Sequence, residues 1–236
     1  MLLSRFMDVE LPEGSEVGDR RVRRSRSALL SAAVRVVTER ETTEVSVTEL
    51  AEAADVSRRV LYQHFGDRDA LLAAAAVDLV TRELLPRLPH EPEAMAATPV
   101  LARHFAEHRR FYRAVLTGSC AYAVTRAVSG LFHPFSTAGA RRLFGGIDDQ
   151  VVGEVADFFT GGTVTALSRW LVDGPEPLDP QEFTEHLLRI QSVLTGPPAE
   201  PTPERTTDEN TAAGQPVGPT DDETAAAHHP GPGHRA

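Results

Sequence analysis

The sequence predicts an all-α protein: an N-terminal three-helix helix-turn-helix domain followed by a six-helix domain. Three observations predict it. Between residues 20 and 195 apolar positions recur at helical spacing almost throughout, and no alternating strand pattern of useful length interrupts them. Helix-capping residues (Ser46, Ser57, Asp67) stand directly before apolar runs. Breakers stand between the later runs, at Gly118, Pro134, Gly145-Gly146, Gly174-Pro175 and Pro180.

The first helix is expected over 22–39, where Val22, Leu29, Ala33, Val36 and Val37 form one stripe. At its start run Arg20, Arg21, Arg23, Arg24 and Arg26, which read as an arm able to follow a phosphate backbone or enter a minor groove. Ser46-Val47-Thr48-Glu49 is a capping box: Ser46 accepts from the Glu49 amide and Glu49 reaches back. The short helix it opens, 47–54, turns Leu50, Ala51 and Ala54 inward. Asp55-Val56-Ser57 is a turn, and Ser57 caps a second short helix, 58–64. Val60, Leu61 and Phe65 give that segment its core face. Arg58, Arg59, Tyr62, Gln63 and His64 face solvent and supply donors for phosphates and base edges. Asp67 caps a fourth helix running toward Leu85 and stopping at Pro86. Five more helices are expected over about 98–117, 119–131, 134–145, 148–172 and 179–195.

Four segments follow: a disordered extension (1–19), the helix-turn-helix domain (20–66), a helical domain (67–195) and a disordered acidic tail (196–236). The tail holds eight Pro, no aromatic residue and only Val217 as a sizeable aliphatic, too little apolar area to offset ordering entropy. Its His228, His229 and His234 read as a solvated low-complexity end.

Charge divides along the same lines. The chain carries −10 overall, which argues against coating nucleic acid through bulk charge. Yet residues 20–68 carry +3, the only net-positive block, against −4, −4 and −5 for the other three. All 24 basic residues are Arg, whose planar fork suits phosphate and guanine. One cysteine, Cys120, excludes an intrachain disulfide and a multi-cysteine zinc site. With no apolar run long enough to span a bilayer and no secretory signal, a cytoplasmic protein without membrane contact is expected.

Residues 27–72, and in particular Val47-Thr48-Glu49-Leu50-Ala51-Glu52-Ala53-Ala54, Val56-Ser57 and Leu61-Tyr62-x-His64-Phe65, resemble the DNA-binding domain of the TetR (tetracycline-repressor-like) family of bacterial regulators. His108-Arg109-Arg110-Phe111-Tyr112 and the stretch from Phe158 to Trp170-Leu171 are similar to the family's variable ligand-binding and dimerisation domain. The resemblance implies a regulator, most often a repressor, that binds a near-palindromic double-stranded operator as a homodimer and is released by a small molecule. It implies phosphate contacts from Ser46, Ser57, Tyr62, His64 and Arg68 and base contacts from Arg58, Arg59 and Gln63; Thr48 and, on the arm, Arg23 and Arg24 are further candidates for contact with DNA. It implies pairing of 148–172 and 179–195 with their copies in a second subunit. Aromatic candidates for the effector site are Phe105, Phe111, Tyr112, Tyr122, Phe132 and Phe159. The sequence departs from the family at Asp55, where Gly is preferred, at Arg59, where a small residue is common, and at Val60, which replaces a frequent Thr. The Arg58-Arg59 pair suggests guanine in the operator.

Other readings weigh less. His104-Phe105-Ala106-Glu107-His108 matches the H-x-x-E-H pattern of inverted zinc peptidases, and spacing of four puts both histidines on one helical face. No supporting second motif accompanies it, so exposed or hydrogen-bonded histidines are expected there rather than a metal site. A metal-responsive regulator using His104 and His108 is the alternative. Ser119 lacks a nucleophile elbow, Cys120 lacks a partner base, and no phosphate-binding loop occurs, so neither enzyme activity nor a cofactor is expected. An adaptor that keeps the helix-turn-helix without binding an operator is a further alternative.

Overall fold

The computed structural model describes residues 16–89 and 94–196. The expected disorder of 1–15 and 197–236 falls outside the described residues. Within them every regular element is helical: α1 (Glu16–Arg40), α2 (Val47–Ala53), α3 (Arg58–Phe65), α4 (Arg68–Leu79), α5 (Ala94–Glu107), α6 (Arg109–Thr117), α7 (Ala121–Leu143), α8 (Asp149–Asp173) and α9 (Pro180–Thr195). No helix among the described residues is long and apolar enough to cross a membrane.

Local chemistry sets the starts of the short helices. Ser46 Oγ accepts from the Glu49 amide at 3.0 Å, Ser57 Oγ from the Val60 amide at 3.4 Å and Asp67 Oδ1 from the Ala70 amide at 2.7 Å. Each satisfies one of the orphan donors at a helix N-terminus. The reciprocal half of the expected capping box is not used. The Glu49 carboxylate instead accepts from Arg40 Nη2 at 2.8 Å, tying the end of α1 to α2. Between α2 and α3 the chain turns with Asp55 at φ 53°, the left-handed region that Asp tolerates better than most residues.

Four boundaries differ from expectation. α1 begins at Glu16, inside the segment expected to be disordered, so Arg20 to Arg26 lie on helix rather than on an extended arm. Arg is a good helix former, and Asp19 pairs with Arg23 at 3.0 Å one turn on, a contact that supports a helix. α4 does not stop cleanly before Pro86. It widens into a π-helical turn (Val80–Leu84) and tightens into a 3-10 turn (Leu85–Arg87) that contains the proline. The helix expected over 98–117 is interrupted at His108 (φ −106°, ψ 23°), giving α5 and α6. The two expected over 119–131 and 134–145 are one, α7, with Pro134 inside. Pro134 withdraws one backbone donor, but α7 packs against α4 and α8, and that burial outweighs the local break.

The core is continuous from end to end. Leu29, Ala33, Val36 and Val37 of α1 are buried against α4 and α6, with Leu50 of α2 and Leu61 of α3 beneath them. Leu71, Leu72, Ala75 and Ala76 make α4 the central helix. At the far end Trp170 of α8 stacks on Phe183 of α9, ring centroids 4.2 Å apart. Arg109, at the start of α6, is buried, and its guanidinium donates to the carbonyls of Leu171, Gly174 and Pro175 at 2.6–3.1 Å and to Glu176 at 2.9 Å. One side chain thus caps the C-terminal end of α8 and holds the loop to α9.

Candidate functional site

α3 has two chemically distinct faces. Leu61 is fully buried, and Val60 and Phe65 are half-buried against the core. On the other side Arg58, Arg59, Tyr62 and Gln63 are exposed. Tyr62 is 53% exposed, far too much for a core aromatic. Ser46 and Thr48 at the start of α2 and Ser57 before α3 are exposed beside them. The capping oxygens of Ser46 and Ser57 accept from amides, so each hydroxyl hydrogen stays available for an outside acceptor. Arg24 is exposed on α1, and Arg23 is exposed but paired with Asp19.

Two residues expected on the same surface are engaged within the protein. His64 is half-buried, its Nε2 2.9 Å from Ser25 Oγ. Ser25 donates to the Val22 carbonyl at 3.0 Å, so its lone pairs accept the Nε2 proton. Burial, then the Arg26 charge, lowers the His64 pKa from 6.5. Beside it Arg26 lies over the Phe65 ring, 4.7 Å from its centroid. His64 therefore fastens the end of α3 to α1 instead of standing free. Arg68 is half-buried and donates to Asp69 through Nε and to Ser119 Oγ through Nη2, both at 3.0 Å. It links the start of α4 to the α6–α7 turn, where sequence reasoning put it at the surface. In both cases the partner lies too far along the chain, 39 and 51 residues away, to leave a local signal.

A cavity of about 360 Å³ opens between α5, α6, α7, α8 and α9. Phe105, Tyr112, Phe132 and Phe159, four of the six aromatic candidates, line it. Phe111 and Tyr122 do not. Phe111 is fully buried in the core, and Tyr122 is 78% exposed on α7, because its position falls on the outer face of a helix whose inner face carries Val124 and Val128. Sequence reasoning missed most of the polar lining. Thr125, Ser136, Thr160, Thr163, Ser168 and Gln191 sit among the apolar walls, and Thr160 Oγ1 donates to Ser136 Oγ at 2.7 Å. Small hydroxyl residues in helices carry no pattern that separates a cavity wall from solvent.

Beside the cavity His104 is fully buried, its Nε2 3.0 Å from the Tyr112 hydroxyl. Burial, then His108, lowers its pKa to about 4, so the ring is neutral near pH 7. His108 Nε2 lies 2.9 Å from Glu83 Oε2. The histidines are thus hydrogen-bonded, and the acidic residue that meets them comes from the π-helical turn after α4, 25 residues away from His108.

Residues 29–75 match the family model of the bacterial regulatory proteins, tetR family. The N-terminal domain is a tetR-family domain. Solved structures similar to the chain include RolR without ligand (22% identity, covering 70% of this chain and 89% of that one, TM-score 0.47). They include the fatty acid degradation regulator FadR from Bacillus halodurans (15%, 72% and 97%, TM-score 0.49). A TetR-family regulator from Rhodococcus sp. is also similar (18%, 73% and 98%, TM-score 0.48). The comparison with curated proteins gave no match. The tetR-family match ends at residue 75, so it covers α2, α3 and the turn at Asp55 and stops before the cavity.

Proposed function

We propose that the protein is a transcriptional repressor that binds a near-palindromic operator as a homodimer and lets go when a small molecule fills the α5–α9 cavity. The carrying observation is the exposed face of α3, with Arg58, Arg59, Tyr62 and Gln63 presented on a helix pinned beneath by buried Leu61. A short helix with donors at this density suits the major groove. Arg58, Arg59 and Gln63 read base edges. Tyr62, Ser46, Thr48 and Ser57 hold phosphates, and Arg24 adds charge from α1. His64 and Arg68 act from behind, by fixing α3 and α4. The adaptor reading gives no account of an uncompensated Arg pair beside an exposed tyrosine.

The cavity suits a predominantly apolar molecule that offers groups to Thr and Ser hydroxyls, since few charged side chains line it. The dimer reading is supported by apolar residues left in solvent on α8 and α9: Val151, Phe158, Ile190, Val193 and Leu194. A monomer gains nothing from exposing such a set, whereas a twofold interface buries it twice.

Selection of bound fragments from a random duplex pool tests the reading. The expected result is an inverted repeat containing guanine, bound with an affinity that falls steeply as salt rises. Recovery of no sequence above background at low ionic strength overturns it.

A further inference from the structure

We propose that Glu83, His104 and His108 form a binding site for one divalent transition-metal ion of the zinc class. Three places in the fold converge there: the π-helical turn after α4 brings Glu83, the last turn of α5 brings His104, and the junction before α6 brings His108. One donor atom from each lies within 4.8 Å of the others. The two imidazole rings have centroids 4.9 Å apart. Two imidazole nitrogens and one carboxylate oxygen form the donor set of a four-coordinate zinc ion with water in the fourth position, and Mg²⁺ or Ca²⁺ would want oxygen instead. Bonds of about 2.0–2.1 Å place tetrahedral donors roughly 3.4 Å apart, so small side-chain rotations close the present spacing around an ion.

A second observation points to a ligand independently of that clustering. His104 is 1% exposed, and its Nδ1 is buried with no hydrogen-bond partner. Buried polar atoms are seldom left so. Its other nitrogen, Nε2, faces the Tyr112 hydroxyl at 3.0 Å. With the proton on Nε2 and given to Tyr112, Nδ1 holds an unused lone pair, the form in which imidazole binds metal. Tyr112 then plays the part that a second hydrogen-bond partner plays for metal-bound histidines, fixing tautomer and ring orientation. Glu83 stands on a π-helical turn, an irregularity frequent at functional sites. The Glu83–His108 bond is the one the ion replaces. The neighbouring cation, Arg87, is paired with Glu107 at 3.5 Å. None of this rests on the DNA-binding reading.

The test uses the full chain with His228, His229 and His234 changed to Ala, so that the tail cannot supply ligands. Zn²⁺ uptake is measured by calorimetry and by the shift of the thermal midpoint, and Co²⁺ is added as a spectroscopic probe. The expected result is one equivalent per chain, a raised midpoint reversed by chelator, and the visible absorption of four-coordinate Co²⁺. Glu83→Gln and His108→Gln, both at half-buried positions, abolish uptake, and Tyr112→Phe weakens it by roughly 10–100-fold. Uptake that is absent, or unchanged in Glu83→Gln and His108→Gln, overturns the proposal. A Co²⁺ spectrum that stays six-coordinate in the otherwise intact chain overturns it without any of those variants.

Discussion

Asp55 turns the chain between α2 and α3 at φ 53°, and that one torsion sets how the second helix leaves the first. A β-branched residue meets its own carbonyl there, whereas glycine does not. Asp55→Val should lower unfolding stability by about 1–2 kcal/mol, and Asp55→Gly should leave it equal or higher, as read by urea denaturation. The exposed residues of α3 divide in a similar way by chemistry. Arg58→Ala or Gln63→Ala should cost about 1–3 kcal/mol of discrimination at one operator position, measured by binding to single-base variants. Tyr62→Phe should weaken all duplexes alike. These positions were legible in the sequence because a 3.6-residue period alone separates Leu61 from Arg58, Arg59, Tyr62 and Gln63. His64 and Arg68 were not, because Ser25 and Ser119 decide their orientation from distant parts of the chain.

Helix starts were legible for the same reason, and helix breaks were not. Ser46, Ser57 and Asp67 cap through bonds three residues long, so the sequence contains both partners. Pro134 reads as a stop but lies inside α7, where packing against α4 and α8 prevails. His108 reads as helical but is drawn off by Glu83. Nothing in the local sequence marks Arg109 as buried, yet it holds three carbonyls at the end of α8. Arg109→Ala leaves those acceptors without their charged donor in a buried place. It should cost on the order of 3 kcal/mol of stability by chemical denaturation. Arg109→Lys, with its charge kept and its fork lost, should recover only part of that.

Across the whole molecule, α1 packs on α6, which helps wall the cavity, and two contacts at the α6–α7 turn add to that join. One is Arg68 with Ser119. The other is the close approach of Gly118 to Thr43, where a Cβ would collide with the threonine side chain. The helical character of the described residues and the N-terminal helix-turn-helix were legible. The cavity was legible only in part, since its walls include four of the six aromatic candidates and a hydroxyl lining that carries no pattern in the sequence. In the proposed function, operator binding depends most on the twofold contact, and Phe158 tests that contact. Its side chain is 67% exposed on α8, near Val151 and Leu194 around a shallow apolar groove, so a charge there should leave the protomer's own fold intact. Phe158→Arg places like charges across a twofold interface, where each copy meets the other's patch. Sedimentation should then report a monomer with an unchanged thermal midpoint per chain at low protein concentration. Affinity for a full operator should fall by roughly 10²–10⁴-fold, because the second half-site loses its tethered partner. Affinity for an isolated half-site should not move. A dimer that survives Phe158→Arg would place the twofold contact elsewhere on the molecule.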